Sequence, residues 1–146
     1  MYTQPEQIIV YLETFLKAHA TTLGLHYVCA AADAEEIVPA FPAAIIVAGS
    51  KSKEKIISHK FGIGLTAEIF IMHGDLTEDH RDRNIADMVL ASAVEALLDN
   101  DPTLGGNVVD GYINGIDPGF VTRKKGTGIV ITSKMSWIGI SRSTFI

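Results

Sequence analysis

The segment at residues 55–73 constrains the fold more than any other part of the chain, because apolar residues alternate there with small or polar ones and no proline intervenes. Period two predicts an extended strand. One face of it would carry Phe61, Ile63, Leu65, Ala67, Ile69 and Ile71. At ~3.3 Å per residue the segment would reach roughly 60 Å, whereas a compact domain of this length has a diameter of about 38 Å. We therefore expect either a break at Gly62 or Gly64, or a long hairpin at residues 43–73 that projects beyond the body.

The rest of the sequence predicts two helices and four further strands. A helix over residues 4–20 begins with a capping-box pattern and buries one stripe, formed by Ile8, Leu12, Phe15, Leu16 and His19. A second helix over residues 78–98 begins with acidic residues, as the helix dipole favours, and carries Ile85, Met88, Val89, Val94 and Leu97. Strands are expected at residues 26–31, 43–48, 108–116 and 127–145. They are joined in part by a flexible tip at residues 49–54, a turn at Pro118-Gly119 and a basic loop at residues 123–126.

This order, α-β-β-β-α-β-β, indicates the α+β class. We expect one mixed, mainly antiparallel sheet with two helices packed on it and a projecting long β-hairpin. The chain of 146 residues is long enough for a single domain, residues 1–146, with its own core. That core should bring strand residues onto both helices, and the expected members are Ile63, Leu65, Ile69, Ile71, Ile85, Val89, Leu97, Leu12 and Phe15.

The bulk composition excludes several classes of protein. A formal net charge of −5 argues against a dedicated nucleic-acid binder, which is usually basic. Cys29 is the single cysteine, so the chain cannot form an intramolecular disulfide. The first residues lack the basic start and apolar core of a signal peptide, and no apolar run has the length of a bilayer span. We expect a protein made in a cytoplasm, with no membrane partner.

Residues that could carry chemistry are few. His73 and His80 flank the start of the second helix, with Asp75, Asp79 and Asp82 nearby. Imidazole and carboxylate suit several divalent ions, but these residues match no known ligand spacing, and acids at a helix start are explained by its dipole. No catalytic, cofactor-binding or metal-binding residue is therefore predicted, and the chain is not expected to be an enzyme. A small cytosolic metal-dependent enzyme that uses His73 and His80 is kept as an alternative.

Taken as an order of elements, nearly the whole chain resembles the tail terminator proteins of long-tailed bacteriophages. The likeness begins with the first helix and with Phe41-Pro42-Ala43-Ala44-Ile45, which opens the long hairpin. It continues through the strand at residues 65–72, which leads into an acidic helix start. The most specific part of the likeness is Ala96-Leu97-Leu98 followed by Asp101-Pro102-Thr103-Leu104-Gly105-Gly106. A similar segment after the second helix recurs in phage neck and tail-completion proteins.

The resemblance implies a structural role in a virion. A lambda-type tail terminator is a minor tail protein of the tail and neck, assembled in the host cytoplasm as a homo-oligomeric ring, a hexamer in this family. The ring caps the tail tube, stops its polymerisation, and offers a docking surface to the head-completion or connector protein. Genomic DNA only passes through its lumen. Another neck protein, for head completion or head–tail joining, is the nearest alternative.

The long hairpin is the expected joint between copies, because a two-stranded ribbon is unstable alone and a neighbour could support it. Lys51, Lys53 and Lys55 near its tip would then reach acidic residues of the neighbour, such as Asp79 or Asp82. A solvated surface hairpin would explain the same lysines.

Two further expectations concern an aromatic residue and the ring lumen. Trp137 in the last strand is expected to anchor either the core or an interface, and the sequence does not distinguish these roles. A wall that lets a polyanion pass should be neutral to acidic, so Arg123, Lys124 and Lys125 should not line it.

Overall fold

The computed structural model describes residues 5–31, 40–57, 60–73, 80–106, 108, 110–124 and 128–144. In chain order the described residues form α1 (Pro5–Ala18), α2 (Ala20–Leu23), β1 (Tyr27–Ala31), β2 (Ala43–Ile57), β3 (Lys60–His73), α3 (His80–Asn100), β4 (Asp110–Lys124) and β5 (Gly128–Thr144). The predicted α+β order is confirmed, with the short helix α2 as an addition. α2 ends at Gly24, whose φ of 78° suits a residue without a side chain.

The strands form one five-stranded sheet in the order β1-β2-β3-β5-β4. β1 pairs with β2 in parallel, and the other three pairings are antiparallel, so the sheet is mixed and mainly antiparallel as predicted. β3 is the central strand. It pairs with β5 without a register shift from Lys60, opposite Thr144, to His73, opposite Ile131. The break considered at Gly62 or Gly64 is therefore absent from the pairing of β3 with β5.

The prediction of a flexible tip at residues 49–54 is wrong, because β2 continues through them to Ile57. Its pairing with β3 shifts register after Ala48. At the shift the Ser50 amide donates a hydrogen bond of 2.7 Å to Thr66 Oγ1. A Cβ at Gly49 would lie 2.7 Å from the Thr66 carbonyl oxygen, so a residue without a side chain fits here. The polar composition suggested a loop. These residues nevertheless form a strand, because the backbone hydrogen bonds to β3 do not depend on which side chains are present.

The long hairpin of β2 and β3 is supported within its own chain. β4 begins at Asp110, opposite Ile140, whereas β5 continues beyond Ile140 along β3 as far as Thr144. The outer part of the hairpin therefore has a third strand, and a neighbouring copy is not needed to supply one. Three hydrogen-bonded strands with an apolar face are a stable unit where two are marginal.

The predicted turn at Pro118-Gly119 is also wrong. β4 runs through these residues to Lys124, with a register shift between Asp117 and Phe120, so Arg123 and Lys124 end a strand. Proline has no amide hydrogen to donate and is tolerated in edge strands and at irregularities. Since β4 is one of the two edge strands in the described sheet, Pro118 meets both conditions.

The main core lies between one face of the sheet and the two longer helices. A smaller cluster, formed by Ala43, Ile45 and Met72, is buried on the opposite face. α1 buries Ile8, Leu12 and Leu16. The alternation in β3 is confirmed from Leu65 to Ile71, whereas the side chains of Phe61 and Ile63 lie outside the described part. The strand side of the core includes Leu65, Ala67, Ile69, Ile71, Met135 and Trp137. Phe15, expected in the core, is half-buried and packs at its margin.

The core-facing side of α3 was predicted wrongly. Ile85 and Val89 were expected inside, but they are 46% and 64% exposed. The buried side of α3 carries Asp87, Leu90, Ala91, Val94 and Leu98. Apolar residues cover both faces of this helix, so their spacing could not select one. Asp87, an acid on the inner face, further weakened the pattern.

A rigid double turn joins α3 to β4. Leu104, Gly105 and Gly106 all have positive φ, at 50°, 70° and 92°. The Asp101 carboxylate accepts a hydrogen bond of 3.1 Å from the Gly105 amide. Leu104 is buried, so the apolar contacts of its side chain offset the strain of a left-handed non-glycine residue. The turn therefore fixes the angle at which the chain passes from α3 into the sheet.

Candidate assembly surfaces

Asp87, His73 and Ser133 form a buried polar network between α3 and the sheet. His73 Nδ1 lies 2.8 Å from Asp87 Oδ1, and the Ser133 hydroxyl donates to Asp87 Oδ2. Asp87 and Ser133 have no exposed surface. The sequence signal was weak, because one acid among apolar residues on a helix is usually solvated.

This network is not arranged for nucleophilic catalysis. In a catalytic triad the base contacts the serine hydroxyl, whereas here the carboxylate lies between hydroxyl and imidazole. All three side chains are buried, which leaves a substrate no approach. The network instead pairs polar groups that would be costly to bury alone.

The metal alternative gains no support from the described part of the chain. No group of three or more His, Cys, Asp or Glu side chains there could hold an ion. His73 is bonded to Asp87, and His80 is the first residue of α3. Asp75 and Asp79 lie outside the described residues. Within the same limits, no helix is long and apolar enough to cross a membrane.

The residues predicted for the joint between copies lie on two elements. Lys51 is exposed in β2, and Lys53 and Lys55 follow in the same strand, where their backbones oppose Ile63 and Phe61 of β3. Asp82 is in the first turn of α3, and Asp79 lies outside the described residues. The ionic joint itself stays a prediction.

Trp137 is a core side chain. It is 1% exposed, and its indole ring lies against the backbone of Gly139 in its own strand and of Gly111 in β4. These two glycines are opposite each other in the register, and a Cβ on either would collide with the ring. Because the chain itself buries the indole, Trp137 needs no second copy to cover it.

The outward face of α3 exposes apolar side chains to solvent. Ile85, Met88 and Val89 are exposed large hydrophobic residues, and with Ser92 they line a shallow groove of about 360 Å³. We call these four residues the α3 stripe. The face of a surface helix turned away from the core is normally charged or polar. An apolar outward face therefore marks a candidate contact surface.

A second apolar surface lies on the face of the sheet opposite the helices. Tyr112 and Ile140 are 48% and 46% exposed, and half-buried Ile138 pairs directly with Tyr112. Successive residues of a strand point to opposite faces. Since Ile113 and Trp137 point into the core, Tyr112 and Ile138 point outward. We call Tyr112, Ile138 and Ile140 the sheet patch. Its members come from two strands, so no local sequence pattern marks it.

Comparisons with known proteins add a likeness of fold. No family model matches the chain, and no curated protein matches its sequence. Among solved structures, a chain from the virion of a native gene transfer agent (GTA) particle is similar, with a TM-score of 0.54 and 11% identity. The match covers 89% of this chain and 91% of that chain, so the two share their fold over nearly their full lengths.

Proposed function

We propose that this protein is a structural component of a phage-like virion, and that it acts there as a ring-forming tail terminator. Its ring caps the tail tube, stops further polymerisation and presents a surface for the head-completion or connector protein. The observation that carries the proposal is the fold shared with a chain of the GTA virion over nearly the whole of both molecules. The resemblance of sequence order to tail terminators gives the more specific role.

The architecture suits a ring wall. The long strands β2, β3 and β5 pair along most of their length, and β3 pairs with β5 without a register shift, which gives a stiff sheet. α1 and α3 share one face of that sheet, and on the opposite face the sheet patch of β4 and β5 is exposed. A joint between virion proteins requires rigid surfaces rather than a set of catalytic residues. The buried Asp87 network contributes to this rigidity, because it links α3 to β3 and β5.

Another neck protein is the second candidate. The fold likeness is to a chain of a virion particle, which supports a head-completion or head–tail adaptor protein as well as a terminator. The two functions differ in the partner that is bound first, namely the tail tube or the head connector.

The test is to add the purified protein to growing tail tubes and to measure tube length and end density by negative-stain electron microscopy. A terminator stops elongation and leaves a ring at one end of each tube. Tubes of unchanged length, together with binding to isolated head connectors, would favour the adaptor. A protein that binds neither is not a neck component. The variant Lys51→Glu/Lys53→Glu/Lys55→Glu tests the predicted ionic joint and should fold without capping tubes.

A further inference from the structure

Carboxylate side chains of the two longer helices take up backbone amides at both edges of the sheet. At the β1 edge, the Ala30 amide donates a hydrogen bond of 2.6 Å to Glu13 Oε2 of α1. At the β4 edge, the Ile113 amide donates a longer bond, of 3.4 Å, to Asp99 Oδ1 of α3. β1 and β4 are the outer strands of the described sheet, so each helix places an acid where the pairing of strands ends.

The first residues of β4 turn two amides away from β5. In an antiparallel strand, successive residues point their amides alternately toward a neighbour and away from it. The Ile113 amide is bonded to Asp99 of α3, so Ile113 and, two residues earlier, Gly111 point outward. The Gly111 amide is also bonded to a carboxylate, because it donates to Asp110 Oδ1 over 3.0 Å. Both outward amides at residues 110–113 therefore have an acidic partner.

An unprotected strand edge is a template on which another strand can pair. Proteins protect such edges with charged side chains, irregularities or proline. The described edge of β4 has all three, because its register with β5 shifts after Ile113 and again after Asp117, where Pro118 follows. Residues 110–113 precede these irregularities, so the carboxylates are what protects that stretch.

We propose that Asp99 and Asp110 close the β4 edge at residues 110–113 against pairing with the same strand of a second copy. The stretch fits a second copy because it is self-complementary. When two such strands meet antiparallel about Tyr112, Gly111 of each lies opposite Ile113 of the other. The outward amides and carbonyls then face each other as in the hydrogen-bonded pairs of an antiparallel ladder. The two carboxylates occupy the amides that this pairing needs.

Charge acts in the same direction as the hydrogen bonds. The chain carries a net charge of −5, and both Asp99 and Asp110 are exposed. Pairing of two β4 edges would bring the acids of both copies to one joint, where like charges are destabilising. The inference goes beyond the proposed function and does not rest on it, because a closed edge serves an adaptor as well as a terminator.

Disulfide trapping tests the closed edge, with Cys29→Ser as the background. Tyr112 is exposed and lies at the centre of the excluded pairing, where opposite Cα atoms would be about 4.5 Å apart. Cysteines at that separation can form a disulfide. Tyr112→Cys should give no cross-linked dimer under mild oxidation while both acids are present. With Asp99→Ala and Asp110→Ala added, the same cysteine should give the dimer.

Two matched double variants separate the hydrogen bonds from the loss of charge. Glu95→Ala/Asp117→Ala also removes one acid from α3 and one from β4, and should give no dimer. Asp99→Asn/Asp110→Asn removes the charges but keeps an oxygen acceptor for each amide, and should give no dimer either. Dimer formation by either variant to the extent seen with the alanine pair would show that charge closes the edge, and would overturn the proposal.

Two further results also overturn it. Dimer formation by Tyr112→Cys with both acids present would show that the edge is open. An alanine pair that is folded and gives no dimer would show that the acids are not what closes it. Far-UV circular dichroism and Trp137 emission establish the folded state of each variant before oxidation.

Amide hydrogen exchange gives a readout that needs no association and only one substitution. In the chain that carries both acids, the Ile113 amide should exchange slowly although it points away from β5. Asp99→Ala should speed the exchange of Ile113 and leave unchanged that of Tyr112, whose amide points toward β5. Equal exchange of Ile113 in the two chains would mean that Asp99 does not hold this amide, and the proposal would be wrong.

Discussion

His73 Nδ1 lies 2.8 Å from Asp87 Oδ1, and this buried contact ties the end of β3 to the inner face of α3. A carboxylate oxygen accepts hydrogen bonds, so the imidazole donates through Nδ1–H. The other carboxylate oxygen accepts from Ser133 of β5. One acidic side chain thus joins the helix to two neighbouring strands, and removing it leaves two polar groups without this partner.

Asp87→Ala should lower the free energy of unfolding by about 3–5 kcal/mol, because a buried charged group is removed and its partners stay buried. Ser92→Ala, at an exposed position of the same helix, should change it by less than ~0.5 kcal/mol. Urea titration at low protein concentration measures both. A loss for Asp87→Ala no larger than that for Ser92→Ala would mean that the network contributes nothing.

Substitutions at two adjacent residues test which side of α3 faces the core. Leu90 is buried and Val89 is exposed, so Leu90→Ala should cost about 2–5 kcal/mol of unfolding free energy. Val89→Ala should cost at most ~0.5 kcal/mol in the dissociated chain. The comparison is made by denaturant titration under dilute conditions. Equal losses would place both residues against the core and contradict the observed face of the helix.

The packing of the Trp137 ring against neighbouring backbone predicts the outcome of two glycine substitutions. Gly139→Ala puts a Cβ into the indole ring, which the core holds in place, and should destabilise the protein by about 1–3 kcal/mol. Gly115→Ala is the matched control in the adjacent strand, because a Cβ there meets no atom within 4 Å. Since Trp137 is the single tryptophan, its fluorescence reports both unfolding transitions. Identical midpoints would contradict the contact of the ring with Gly139.

The double turn after α3 should tolerate asparagine better than alanine. Gly106 has a φ of 92° and open space beside it, so a substitution there tests backbone conformation rather than packing. Gly106→Ala should cost about 1–2 kcal/mol, the penalty of a left-handed conformation for an L-residue. Gly106→Asn should cost less, because asparagine visits this region more readily. Thermal unfolding followed by circular dichroism compares them, and a costlier asparagine would argue against a conformational origin.

Local sequence patterns predicted burial correctly where a single geometric rule of the helix or strand applied. Alternation predicted the buried face of β3 at Leu65, Ala67, Ile69 and Ile71, because side chains of a strand point to its two faces in turn. Helical spacing predicted the burial of Ile8, Leu12 and Leu16 for the same kind of reason. The order of these elements then indicated the α+β class.

Strand limits were decided by neighbours in space. Residues 49–54 read as a loop by composition, and Pro118-Gly119 read as a turn, yet both lie within strands. β3 supplies the hydrogen bonds of the first segment, and the edge position of β4 tolerates the proline of the second. A chain read residue by residue does not show which strand lies beside which, or which strand has an open edge.

The set of elements, their order and much of the core follow from the order of residues alone, because hydrophobic period is a local property of the chain. The tertiary structure decided the face of α3, the burial of Asp87 and Trp137, and the two apolar surfaces. Apolar residues surround α3, so its orientation follows from how well each side packs on β3, β4 and β5. The sheet patch joins Tyr112 of one strand to Ile138 and Ile140 of another, and only the pairing of those strands brings them together.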